Sequence, residues 1–177
     1  MKNILGMIMC MVILGCTHIT PNYAISIEGC TDTIAMNVSK GLTGSYQGVS
    51  VLVSTPLDAV TYAPSDFGLA LQEFLIGSLV RQGTNVIDVQ LRNEPYITCE
   101  EGLISLSRDA SRLKGEFSAE VIIVSTYLVR ERSVVITSRA VDATTNNVIA
   151  SATTSLRRTD DITGLLSPMQ RVRMYER

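Results

Sequence analysis

Four cysteines, one histidine and a few paired carboxylates are the side chains of this 177-residue chain with a claim on chemistry. Cys16 has the clearest. It closes the stretch Ile13-Leu14-Gly15-Cys16, which has the order of a lipobox: an aliphatic residue, a tolerated residue, a small residue, then the cysteine that is acylated. Leu14 is bulkier than the Ala or Ser usual at that place. Upstream, Met1-Lys2-Asn3 is weakly positive, and residues 4–14 are apolar apart from Gly6. Eleven helical residues reach about 16 Å, too short for a ~30 Å hydrocarbon core but right for the apolar region of a secretory signal. Residues 1–15 therefore read as a lipoprotein signal peptide. A single acyl chain holds a protein to a bilayer only marginally. Bacterial lipoproteins of this type carry three, so the anchor is expected to be permanent. Thr17, rather than Asp, follows Cys16, which under the general bacterial sorting rule directs the protein to the outer membrane.

The remaining candidates are weaker. Cys10 leaves with the signal. Cys30 and Cys99 are expected to meet an oxidising compartment and could pair, closing a loop worth roughly 4 kcal/mol in the chain-entropy model; two unpaired thiols are the alternative. His18 stands two residues from the lipid site, badly placed to serve a folded pocket. Glu100-Glu101 and Asp160-Asp161 read as exposed loop charges. Neither a metal-spaced Cys or His pair nor Gly-x-Ser-x-Gly occurs, so the expectation is no enzyme, no metal, no cofactor and no small-molecule substrate. The whole chain carries −2, and its 46% hydrophobic content is that of a globular protein. Nothing in that balance calls for nucleic acid, which needs a strongly basic face.

Behind these residues the chain reads as one small domain. Residues 16–48 are polar, rich in Thr, Ser, Gly and Asn, and read as a lipidated tether with one short docked segment at 35–40. A strand is expected at 49–55, stopping before Pro56. Pro64-Ser65-Asp66 starts a helix, with Ser65 or Asp66 as cap, and Phe67, Leu71, Phe74, Leu75 and Leu79 make its buried face. Gly83 stops that helix. A strand at 86–91 and a shorter helix at 107–117 follow. Residues 121–128 contain four aliphatics in a row, the pattern of a strand covered on both faces. Strands at 134–141 and 148–156 form a hairpin through Thr144-Thr145-Asn146-Asn147, where Asn tolerates positive φ. The predicted fold is α/β (α+β): a β-α-β-α-β-β-β mixed sheet with two helices packed on it, over residues 49–157. Residues 158–177 read as a polar tail.

This order carries a resemblance. Asp66-Phe67-Gly68-Leu69 through Gln72-Glu73 and on to Gln82-Gly83, then Leu106-Ser107-Arg108-Asp109, then Val124-Ser125-Thr126-Tyr127 followed by Arg139-Ala140-Val141-Asp142, resembles the FlgO family of flagellar outer-membrane lipoproteins. The likeness covers roughly residues 49–156, with Ser125 where the family more often has Gly. It implies Gly68, Glu73, Gly83, Ser107, Arg108, Asp109, Thr126, Tyr127 and Arg139 as family-motif residues. It also implies a role in flagellar stability and motility, as part of a disc or ring around the rod and hook base. The fold is expected to be similar to that of periplasmic activators of penicillin-binding proteins and the soluble part of the curli secretion lipoprotein. Several of those residues also have an ordinary structural explanation: Ser107 caps a helix, Asp109 favours its dipole, and Tyr127 packs with its hydroxyl needing a partner, while a partner contact through Arg108 is the alternative.

The charge is uneven along the chain. Residues 17–129 hold 6 basic and 12 acidic side chains, whereas residues 130–177 hold 8 basic and 5 acidic. In a ring, the basic flank carried by Arg157 and Arg158 could meet an acidic flank on the next copy. Three readings thus compete: a structural flagellar lipoprotein acting with other basal-body proteins and further copies of itself, a lipoprotein activator of a peptidoglycan synthase, and a subunit of a secretion assembly. The first is preferred. Mass spectrometry of the natural protein should find a chain beginning at an acylated Cys16, without Met1; an unmodified thiol there would remove the anchor.

Overall fold

The computed structural model describes residue 24 and residues 26–87 and 119–166. The elements are α1 (Ile27–Gly41), a 3-10 turn at Gly44–Tyr46, β1 (Ser50–Val53), β2 (Leu57–Asp58), α2 (Asp66–Arg81), β3 (Asn85–Ile87), β4 (Val121–Val129), β5 (Ser133–Asp142), β6 (Val148–Arg157) and α3 (Asp160–Leu165). The sheet order is β3-β1-β4-β5-β6, with β2 also on β4. β1 runs parallel to β3 and β4, while β4, β5 and β6 form an antiparallel meander. This is a mixed α+β fold, crossover connections first and meander second, as the sequence predicts. The expected helix at 107–117, with Ser107, Arg108 and Asp109, lies outside the described residues, as do Cys16, His18 and Cys99.

β4 explains its run of aliphatics. Val121 and Ile123 face the helices, and Ile122 joins Leu52, Ala119 and Ala143 in a second buried cluster on the opposite face. Water is thus excluded from both sides of the strand, and alternation is not needed. β5 and β6 alternate. Val134, Ile136 and Ala140 on β5, with Ala152 and Leu156 on β6, are buried beneath the helices, and Arg139 on the other face is exposed.

The tether expected over residues 16–48 is corrected. Residues 27–41 form a full helix whose Ile27, Cys30, Ile34, Ala35 and Val38 are buried in the main core. Those residues recur at spacings of three and four. Thr31, Thr33, Asn37 and Ser39 between them dilute the composition without disturbing the stripe. Ser26 caps the helix by accepting the Gly29 N–H at 3.2 Å; Glu28 sits in its first turn and Lys40 in its last, both favourable to the dipole. The domain therefore begins near residue 24, not at 49.

Cys30 is corrected with it. Its thiol is free and fully buried, and burial raises its pKa to about 11. Such a thiol packs as a small apolar group and reacts poorly. Cys99 lies outside the described residues; within them, helix packing holds this segment down.

Two smaller expectations also change. Phe74 is 38% exposed, because the buried stripe of α2 runs through Phe67, Leu71, Leu75, Ser78 and Leu79 and leaves Phe74 at its margin. The start of the polar tail is ordered: Thr159 caps α3, and Ile162 enters the core. Elsewhere the local reading holds. Ser65 is the cap of α2, Gly83 follows its end with φ 80°, and Asn146 takes φ 60° in the hairpin. Asp142 anchors that hairpin by accepting the N–H groups of Thr144 (2.8 Å) and Thr145 (2.7 Å), which hold its carboxyl below the usual range.

If α1 is core rather than leash, truncating its centre must destabilise the whole domain. Ile34→Ala should cost about 2–5 kcal/mol. Urea unfolding should show a lower midpoint in one cooperative transition; an unchanged midpoint would return α1 to the tether.

Candidate functional site

Two of the family-motif residues within the described chain, Gly68 and Tyr127, come together where α2 meets the sheet. Ser65 Oγ accepts the Gly68 N–H at 3.0 Å and lies 2.6 Å from the Tyr127 hydroxyl. The Tyr127 ring stands edge-on to Phe67, with centroids 4.9 Å apart at 77°. Burial is the main cause that raises the Tyr127 pKa, so the phenol stays protonated at neutral pH. Gly68 passes directly under Pro56, and a Cβ there would collide with the Pro56 carbonyl oxygen. One turn on, Gln72 donates to the Val53 carbonyl and accepts from Thr55 Oγ1, both at 2.9 Å. Across the sheet, Ser125 and Ser138 face each other at 2.8 Å. No buried side-chain polar atom among the described residues lacks a partner.

That last fact decides what this cluster is for. A reactive centre holds polar groups poised toward a cleft, with unsatisfied capacity and shifted ionisation. Here every group is paired inside the protein, so the cluster is a lock between helix and sheet. Among the described residues no group of three or more His, Cys, Asp or Glu side chains could hold a metal ion.

A second polar lock ties α1 to α2. Arg81 pairs with Asp32 at 2.6 Å, and Ser78 Oγ lies 2.8 Å from Asp32 Oδ1 and 3.0 Å from Thr31 Oγ1. Arg81 and Ser78 together hold the Asp32 carboxyl below its ordinary range.

The exposed residues have a pattern of their own. On the face of the sheet away from α1 and α2, Arg139 and Arg157 are exposed among hydroxyl groups such as Thr137 and Thr153, which lie 3.2 Å apart. Neither arginine has a carboxylate partner among the described residues. Arg158 is differently occupied: its Nε donates to Thr163 Oγ1 (3.1 Å) and its Nη1 to the Arg130 carbonyl (3.4 Å), clamping α3 to the β4–β5 turn. Thr126 is half-buried on the arginine-bearing face, and Glu73 is exposed on α2.

A rigid apolar tip adds to this surface. Val60 is 72% and Tyr62 61% exposed, in a loop whose turn is set by Asp58 accepting the N–H groups of Val60 and Thr61. Tyr62 is held at φ 55°, a conformation of real cost to an aromatic residue. The Ala59 N–H donates to the Tyr127 carbonyl, so tip and lock share one end of the sheet. The chain enters at that same end. Ala24 bridges Leu156 in parallel, donating to the Ser155 carbonyl (2.8 Å) and accepting the Arg157 N–H (3.0 Å).

Sequence reading singled out Tyr127 and its need for a partner but not the partner. It did not find the Val60–Tyr62 tip. The only available signal was Asp58 placed before two apolar residues and Pro64, a turn pattern with no marker of exposure.

The described residues thus form an α+β domain whose buried side-chain polar atoms are all paired within the fold. Solved structures agree on the fold. The LpoB C-terminal domain from Salmonella enterica matches with a TM-score of 0.53 at 16% identity, over 71% of this chain and 96% of that one. The LpoB C-terminal domain from Escherichia coli matches with a TM-score of 0.53 at 14% identity, over 72% and 98%. No curated protein matches the chain. The family is settled by sequence: the model described as FlgO protein matches residues 31–161, and the chain belongs to the FlgO family. The match takes in most of α1, consistent with a domain that starts before residue 49.

The lock can be tested by removing one atom. Tyr127→Phe leaves the Ser65 cap of α2 intact but removes the hydroxyl partner, and should lower stability by about 1 kcal/mol. A reduced urea midpoint at unchanged slope is the expected reading; no change would mean that the pair contributes nothing.

Proposed function

We propose that this protein is a lipid-anchored structural component of the flagellar outer-membrane assembly. The observation that carries the reading is membership of the FlgO family over residues 31–161. The lipobox at Cys16 supports the anchor. Among the described residues no helix is long and apolar enough to cross a membrane.

Geometry adds a constraint. Ala24 lies eight residue steps after Cys16, with seven residues between them, a reach of at most about 29 Å. The domain then rides close to the bilayer, with the Arg157 end of β6 and the Tyr62 tip on the anchored side. A rigid aromatic beside a mixed-charge rim is the usual anatomy of a protein contact. The partners in this reading are other basal-body or outer-membrane flagellar proteins and further copies of the chain in a ring. Arg157 is free for such a contact, whereas Arg158 already serves its own subunit.

Two outcomes separate this function from a lipoprotein activator of peptidoglycan synthesis. A deletion strain should lose motility while its wall synthesis stays normal. Normal swimming with impaired wall synthesis would overturn the flagellar role and favour the activator.

A further inference from the structure

At the end of the sheet opposite Ala24, the C-terminal ends of α1 and α2 and the turn before β1 enclose a cavity of about 260 Å³. Its lining carries no charged side chain. Leu42 is buried beneath it, and Ser39 and Thr84 lie against it, their hydroxyl oxygens 3.0 Å apart. Tyr46 forms a wall, its ring fixed by a 3.0 Å hydrogen bond from its hydroxyl to Asp142 Oδ2. Around the mouth stand Gln47, Gln82 and Asn85, all exposed and making no side-chain hydrogen bond with any described residue.

Three free carboxamides, a hydroxyl pair and an aromatic wall are a selective combination. A carboxamide offers two donors and an acceptor, which suits the hydroxyl and acetamido groups of a sugar. Without a cation in the lining, nothing would stabilise a phosphate or carboxylate; without an anion, nothing would hold a metal. Peptides dock by extending a strand edge or by laying a helix in a long apolar groove; two helix ends, a turn and only the first residue of β3 give a compact cleft with the length for neither. The volume sits just below the ~300–1,000 Å³ usual for ligand pockets, room for one sugar ring. Leu42 and the Tyr46 ring give an apolar seat for an acetyl methyl.

We propose that this cleft binds an uncharged N-acetylhexosamine unit of a glycan. The position of the cleft, on the side facing away from the bilayer, rests on the anchored reading above; the ligand chemistry does not.

The test titrates the full mature chain with N-acetylglucosamine and its β-1,4-linked dimer, following side-chain and backbone amides by NMR. Saturable shifts at Gln47, Gln82 and Asn85 are expected, with millimolar affinity. Gln47→Ala and Asn85→Ala should each weaken binding about tenfold, one lost hydrogen bond, at an unchanged urea midpoint. Thr153→Ala, on the distant sheet face, should leave binding intact. The proposal falls if no sugar gives a saturable shift, if inorganic phosphate does as well, or if a cell-wall stem peptide shifts these residues and the sugars do not. Failure here would leave the acyl mass at Cys16 unaffected, so the two ideas stand or fall separately.

Discussion

The packing of α1 onto β5 and β6 is the contact on which the rest of the structure depends. α2 covers the parallel half of the sheet, where β1 and β3 lie. On the antiparallel half, Val134, Ile136, Ala140, Ala152 and Leu156 turn their side chains to the same face and need a second helix over them. α1 supplies it, through Ile27, Cys30, Ile34 and Val38. Burial of this kind contributes roughly 25 cal/mol per Å² of apolar surface, and no surface ion pair in the molecule approaches the sum. The Asp32–Arg81–Ser78 cluster fixes the angle between the two helices rather than holding them together.

This packing also fixes where the chain enters the domain. α1 starts three residues after Ala24, and Ala24 is hydrogen-bonded to the end of β6. The segment that leads into α1 is therefore tied to a core element. Under the proposed anchor at Cys16, seven residues lie between lipid and Ala24, a far shorter reach than a tether running to residue 48 would give. In that reading the Tyr62 tip and Arg157 lie on the anchored side of the domain, and the neutral cleft lies at the far end.

The polar interior follows a consistent logic. Ser65 with Tyr127, Gln72 with Thr55 and Val53, and Ser125 with Ser138 each satisfy one another within the fold. Buried polar groups add little net stability when paired but cost heavily when left alone. The first two sets fix how α2 docks on the sheet, which gives Tyr127 a structural role. The LpoB C-terminal domains share the architecture at 16% and 14% identity, too distant for anything beyond the fold.

The sequence by itself determined the elements whose signals are local. The cap at Ser65, the stop at Gly83, the hairpin through Asn146 and the doubly covered run at Val121–Val129 are each written in a few adjacent residues, because capping, positive φ and apolar patterning act over one or two turns of chain. Tertiary structure alone decided the rest. α1 was hidden because its two threonines, one serine and two glycines lower the average hydropathy, while only the sheet beneath reveals which four or five side chains matter. The Tyr62 tip and the carboxamide cleft were invisible for the same reason: exposure, and the meeting of Gln47 with Gln82 and Asn85, depend on which distant segments the fold brings together, and spacing along the chain does not encode that.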